Sequence, residues 1–256
     1  VAAAASVPSI AILGCRVDAI DRQAAVERIA ALANGAPGSL VVTLGVEMVM
    51  CAQRDTAFRA IVNAAALVVC DTIGLLVASR ARGGPLRTRV TGVELIADLV
   101  ARSAARGDVR LYLLGGSGDT AQCAARALLR RYPGAIIAGA RDGYFHDTDS
   151  AEVAAAIAAS GANVVCAGLG SPKQELWLAR FAAATGCGAA IGVGGSLDVF
   201  AGNVRRAPRL IQAAGLEWAY RLIREPRRWR RQLALPRFVV SAARETLLER
   251  VSVRRR

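Results

Sequence analysis

An aspartate, Asp71, ends the apolar run Leu67-Val68-Val69-Cys70. A carboxylate at the carboxyl end of a buried strand, beside apolar neighbours, has the setting of a general base whose environment tunes its proton affinity. The same position equally suits the N-cap of a following helix, and position alone does not choose between the two. A second block, Gly168-Leu169-Gly170-Ser171-Pro172-Lys173-Gln174-Glu175, holds the only lysine of the chain. Its glycines and Pro172 read as a strand-to-helix turn, since proline is tolerated in a first helical turn. Lys173, Gln174 and Glu175 are then either aimed at a ligand or spread over a surface turn. Asp147-Thr148-Asp149 matches the Asp-x-Asp pattern with which many nucleotide-sugar transferases hold a divalent cation. Two aspartates ahead of Ser150-Ala151-Glu152 are more simply a helix cap and first turn, so neither a metal nor another cofactor is expected. His146 is the one histidine, and neither Ser171 nor Ser196 stands in a G-x-S-x-G elbow, which leaves metal clusters and serine triads without support.

These residues need elements to hold them. Six short apolar runs, LVVTLGV, LVVC, RLYLLGG, AIIAGA, NVVCAGLG and AAIGVGG, alternate with alanine-rich stretches of helical period such as Asp21 to Leu32 and Asp119 to Arg131. Continuous apolar strands separated by amphipathic helices predict a parallel sheet covered on both faces, a Rossmann-like three-layer α/β body. Several strands run into glycine turns at Gly115–Gly118, Gly168–Gly170 and Gly192–Gly195. In open parallel sheets, ligands bind beyond the carboxyl ends of the strands, where glycine lets backbone amides approach a phosphate. The N-terminal stretch is an alanine-rich lead into a strand, without the basic region of a signal peptide.

The 256 residues carry 33 basic and 20 acidic side chains, a net charge of +13, and its distribution is uneven. From Arg205 to Arg256 there are 15 arginines against 4 glutamates, +11, which leaves +2 for residues 1–204. The chain therefore reads as a nearly neutral body, 1–204, followed by a basic appendage, 205–256, that meets something anionic. After Val204 the appendage reads as two or three short helices, with Pro226 in a first turn and Pro236 breaking the pattern. Leu216, Tyr220 and Ile223 share one face there and arginines another, and Trp218 is expected to pack on the body. The six cysteines stand far apart without a C-x-x-C pair, which suits a reducing, cytoplasmic setting. No uncharged apolar run reaches the roughly 18 to 20 residues of a membrane span, so membrane contact is expected to be peripheral. The glycine turns also suit a nucleotide-cofactor oxidoreductase, but no G-x-G-x-x-G opens a helix with an acidic residue about 20 positions on. The basic segment suits nucleic acid by charge alone, without a recognition helix or ribonucleoprotein signature, and no nucleic-acid partner is expected.

Taken in order, further blocks join these: Thr43-Leu44-Gly45-Val46-Glu47, Asp71-Thr72-Ile73-Gly74, Arg89-Val90-Thr91-Gly92-Val93-Glu94 and Gly143-Tyr144-Phe145. They continue through Gly168–Glu175, Gly192–Gly195 with Asp198 and Gly202, Arg206-Ala207-Pro208, Leu216–Leu222 and Glu225-Pro226-Arg227-Arg228. With them the sequence resembles, over essentially its whole length, the WecG/TagA/CpsF family of glycosyltransferases, family 26. The resemblance implies a GT-E type body with a C-terminal helical appendage that completes the active site. It implies an inverting transferase that moves a sugar from a UDP-sugar onto an undecaprenyl-diphosphate-linked saccharide of a cell-surface polysaccharide, at the inner membrane face. Asp71 is then the general base. Substrate falls to Thr43, Glu47, Arg89, Thr91, Gly92, Gly115, Gly143, Tyr144, Gly170, Pro172, Lys173, Gln174, Glu175, Gly194, Gly195 and Asp198. The acceptor diphosphate and the anionic membrane fall to Arg205, Arg206, Arg221, Arg224, Arg227, Arg228 and Arg231. Self-association through the body is also implied. Gly45 stands where many members carry Asn, Thr72 where many carry Gly, and Glu94 where they carry Asp, which bears on donor identity.

Overall fold

Six strands form one parallel sheet: β3 (Ser39–Leu44), β4 (Leu67–Cys70), β5 (Arg110–Gly115), β6 (Ile136–Arg141), β7 (Val164–Gly168) and β8 (Ala189–Gly192), in the spatial order β4-β3-β8-β7-β5-β6. They coincide with the six apolar runs of the sequence. The computed structural model describes residues 7–208, 210–211, 216–224, 229 and 233–254. Along each strand, neighbouring residues belong to opposite cores: Val41 and Val69 pack on one face, Val42 and Val68 on the other. The period-2 alternation is thus present although both faces are apolar, because helices cover both. Helices α1 (Arg22–Ala33), α5 (Gly92–Arg106), α6 (Thr120–Arg131) and α9 (Ser196–Ala201) cover one face. The other is covered by α2 (Val46–Ala52), α3 (Thr56–Ala64), α4 (Ile73–Ala81), α7 (Ser150–Ala159) and α8 (Lys173–Phe181).

The N-terminal lead forms more than one strand. β1 (Ser9–Ile12) and β2 (Cys15–Asp18) make an antiparallel hairpin about Leu13 and Gly14, both at positive φ. A two-residue turn of that hand matches the twist of paired strands, but Leu-Gly lacks the Asn or Asp that usually announces it. The hairpin covers the outer edge of β4, where Asp18 accepts a hydrogen bond from Val68 N at 2.8 Å and so satisfies an edge amide.

The segment after Val204 shares the core of the body. A helix spans Glu217–Arg224, and a second, long one spans Ala234–Arg254. Phe238 and Ala242 of the long helix are buried against α2 and α4. Glu245 accepts from Leu13 N at 3.0 Å and pairs with Arg82 at 3.0 Å, tying the helix to the hairpin turn. Two expectations need correction here. Pro236 does not break the helix; it lies in its first turn, where no backbone donor is needed. The last helix is not short but has 21 residues. Pro226 lies outside the described residues.

Candidate active site

One cavity of about 290 Å³ opens at the carboxyl ends of β3, β4, β7 and β8. It lies where the chain order of the sheet reverses, since β3 is flanked by β4 on one side and by the late strand β8 on the other. Four helices begin on its wall. Gly45, Thr72, Thr91 and Gly195, the N-caps of α2, α4, α5 and α9, all line it. Helix starts present backbone N–H groups and the positive end of the helix dipole, so the cavity favours an anion.

Thr43, the one polar residue of β3 near its end, is buried and donates through Oγ1 to Gly192 O at 2.7 Å, tying two strand ends together. Asp71 follows β4 directly and lines the cavity. The helix-cap alternative for it is resolved: the N-cap of α4 is Thr72. The Thr72 hydroxyl accepts from Val46 N, at 3.2 Å, which joins the starts of α2 and α4. Next to them, burial and then the Asp71 carboxylate push the Cys70 thiol up to about 12, so this cysteine stays protonated and packs as an apolar group.

Across the cavity stand Arg89, Thr91 and Gly92. Thr91 and Glu94 form a capping box at the start of α5: Glu94 N donates to Thr91 Oγ1 at 3.3 Å, and Thr91 N donates to Glu94 Oε2 at 3.2 Å. Partial burial by itself raises the proton affinity of Glu94, but the Thr91 hydroxyl and amide, with Arg206 at 3.4 Å, outweigh it and hold the carboxyl below its ordinary range. Gly92 is a packing requirement, because a Cβ there would come within 2.8 Å of Ser196 Oγ and 3.1 Å of Val193 O. The basic segment reaches this wall as well. Glu217 pairs with Arg89 at 3.2 Å and with Arg206 at 3.5 Å, and Trp218 and Leu235 line the cavity. Trp218, 41% exposed, stands against the body at the cavity wall. Ile223, at 78% exposed, and Leu216 leave the expected apolar face of that helix uncovered.

Of the residues singled out from sequence, Thr43, Glu47, Asp71, Arg89, Thr91, Gly92, Gly170, Gln174, Gly194 and Gly195 come together on this cavity. Others do not line it. Gly115 and Gly143 sit behind, at the ends of β5 and β6. A Cβ on Gly115, whose φ is +145°, would be 2.5 Å from Gly168 O, so glycine there lets two strand ends close up. Tyr144 is exposed beyond them. Pro172 caps α8; Lys173 turns away, its Nζ 5.3 Å from the centre of the Phe145 ring; Glu175 is wholly buried. Asp198 lies in α9, its carbonyl accepting from Val204 N at 3.1 Å. Helical phase is the reason for the split within one block: from a shared start, Gln174 faces the cavity while its neighbours face elsewhere. Asp147 and Asp149 form a short 3-10 turn before α7, with Asp149 accepting from His146 N at 3.2 Å. Arg205 and Arg224 are exposed, Arg206 joins the site network, and Arg227, Arg228, Arg231 and the side chain of Arg221 lie outside the described residues. Ser171 and Ser196, considered from sequence only as nucleophiles, line the cavity, as do Glu217 and Leu235; the Leu216–Leu222 block was the sequence signal for Glu217.

A parallel-sheet cleft with helix starts, a carboxylate and a guanidinium around one cavity has the build of an α/β ligand site that favours an anion. The sequence profile of the glycosyl transferase WecG/TagA/CpsF family matches residues 10–252, and the chain belongs to that family. It is similar to the N-acetylglucosaminyldiphosphoundecaprenol N-acetyl-beta-D-mannosaminyltransferase of Bacillus spizizenii, 35% identical over 80% of this chain and 78% of that protein. It is also similar to the protein of the same name from Bacillus subtilis, 32% identical over 81% of this chain and 80% of the relative. The chain is a glycosyltransferase. Among the described residues, no helix is long and apolar enough to cross a membrane.

Proposed function

We propose that the enzyme transfers a sugar, with N-acetylmannosamine the first donor to test, from its UDP conjugate to a polyprenyl-diphosphate-linked saccharide, with inversion at the anomeric carbon. The meeting of Thr43, Asp71, Arg89 and Gln174 on one cavity at the carboxyl edge of the sheet carries this reading. Two relatives whose names specify mannosaminyl transfer to an undecaprenyl diphosphate-linked acceptor support it.

In this mechanism the Asp71 carboxylate accepts the proton of an acceptor hydroxyl. The oxygen then attacks the anomeric carbon, and the bond from that carbon to the UDP oxygen breaks on the opposite face. One displacement inverts the configuration and leaves no sugar on the protein. The charge that grows on the departing diphosphate is met by the Arg89 guanidinium and by the amides at the starts of α4 and α5. The 205–256 segment serves the acceptor: Glu217 lines the cavity with Arg206 paired to it, and exposed Ile223, Trp229, Val239 and Leu247, interspersed with arginines, suit an anionic bilayer surface.

Donor choice is expected to depend on Gly45 and Thr72, which are neighbours in space: a Cβ on residue 45 would lie 3.3 Å from Thr72 Cγ2. Release of UDP from a panel of UDP-sugars, with a water-soluble lipid-diphosphate saccharide as acceptor, tests the proposal. Acceptor-dependent release from one donor is expected, with a β-linked product. Turnover of none of them would overturn the reading and leave the family membership.

A further inference from the structure

Gln174 faces the cavity, and its carboxamide is held from two sides. Nε2 donates to Glu175 Oε1 at 2.6 Å, and Oε1 accepts from Gly194 N at 3.0 Å. These partners decide which way the amide points. A backbone N–H only donates, so turning the amide over would set donor against donor at Gly194 and, at an ionised Glu175, acceptor against acceptor. Among the described residues these two hydrogen bonds leave one Nε2 hydrogen of Gln174 unspent, on a residue that lines the cavity.

Glu175 is 0% exposed and does not line the cavity. Its Oε2 has the Ser171 hydroxyl as a polar neighbour but no hydrogen bond of good geometry. Burial raises its proton affinity, against the opposing pull of the Gln174 amide and the nearby Ser171 hydroxyl. A carboxyl in such a place costs stability unless a specific contact uses it. The contact it makes is the one to Gln174. The last residue of β8 is built around this pair, since a Cβ on Gly192 would lie 2.8 Å from Gln174 Nε2 and 2.9 Å from Glu175 Oε1.

We propose that Glu175 is a positioning residue rather than a substrate ligand: together with Gly194 N–H it locks the Gln174 carboxamide so that one Nε2 hydrogen is presented to the cavity as a fixed donor to an acceptor oxygen of the UDP-sugar. The identity of that ligand rests on the function proposed above; the locked amide does not. From sequence both Gln174 and Glu175 fall to substrate; here Gln174 keeps that place and Glu175 stands behind it.

The test combines kinetics with side-chain amide spectra of the full chain. Glu175→Leu and Gln174→Met are each expected to lower kcat/KM by about tenfold or more, the loss of one hydrogen bond to a ligand. The double variant should be no worse than the poorer single one. Glu175→Gln, which keeps an oxygen for Nε2, should regain most of what Glu175→Leu loses. Losses that multiply in the double variant would show that Glu175 acts apart from Gln174 and would overturn the proposal. In ¹⁵N spectra, resonances identified by their disappearance in Gln174→Met should show one downfield, slowly exchanging proton in the wild type. Added UDP-sugar should shift its partner proton. A Gln174 amide that exchanges like a solvent-exposed glutamine overturns the lock even if Glu175→Leu fails to fold. Ligand binding detected by calorimetry without a shift at Gln174 overturns the donor role. A protected amide in a wild-type enzyme that turns over no UDP-sugar would sink the functional reading and leave the lock standing.

Discussion

At the scale of single residues, the cavity is built from groups that line it and groups that hold those in place. In the proposed mechanism Asp71 takes the proton: the end of β4 delivers it to the cavity, and the N-cap position of α4 is held by Thr72. Asp71→Asn keeps the shape and removes the base. It should lower kcat by about 100-fold or more without changing the circular dichroism spectrum, and a loss below threefold would remove Asp71 from that role. Glu94 belongs to the holding group. Its carboxyl is depressed by Thr91 and Arg206, so the stability it adds is present above its ordinary value of 4.5 and is lost as pH falls through the lower folded-state value. The melting temperature of Glu94→Gln should therefore lie below that of the wild type at pH 6, and the gap should close toward pH 3. An unchanging gap would mean that the capping box contributes by shape alone.

At the scale of elements, the decisive feature is how the long C-terminal helix, Ala234–Arg254, joins the body. Leu235 lines the cavity, Phe238 is 3% exposed in the core, and Glu245 reaches Arg82 and the Leu13 amide. One element thus connects the hairpin turn, the α2–α4 face and the site. Phe238→Ala should destabilise the protein by about 3–5 kcal/mol, as for other large-to-small changes of buried aromatics, read as a fall in the denaturation midpoint. A change below 1 kcal/mol would mean that the helix detaches easily. The sequence was least legible here. Charge marked a boundary at Arg205, but charge reports what a surface meets and not where the core ends. The hairpin was hidden for a related reason: its turn is Leu13-Gly14, and only the pairing of the strands holds Leu13 at φ +47°.

At the scale of the whole molecule, the protein is a nearly neutral sheet body with its cleft at one edge and a basic, partly apolar segment beside that cleft. Binding to vesicles with and without anionic lipid should show preference for the charged surface and fall with salt, each basic residue near the surface adding about 1 kcal/mol. Indifference to lipid charge would leave the arginines to the acceptor alone. A chain cut before Arg205 should lose this binding and also melt lower, because Phe238 and Ala242 leave the core with it. The sequence by itself determined the sheet: six apolar runs became six parallel strands, because burial on both faces imposes a composition that can be read locally. It also determined the residue types of the site, since Asp71 and Gln174 follow strand ends where α/β sheets bind ligands. Only the tertiary structure decided which of them share the cavity. Gln174 faces it and Glu175 supports it from behind, while Glu217, 128 residues from Arg89 in the chain, becomes its ion-pair partner. Local composition reports burial and turn chemistry, whereas the direction of a side chain from a helix start and the meeting of distant segments depend on how the whole chain packs.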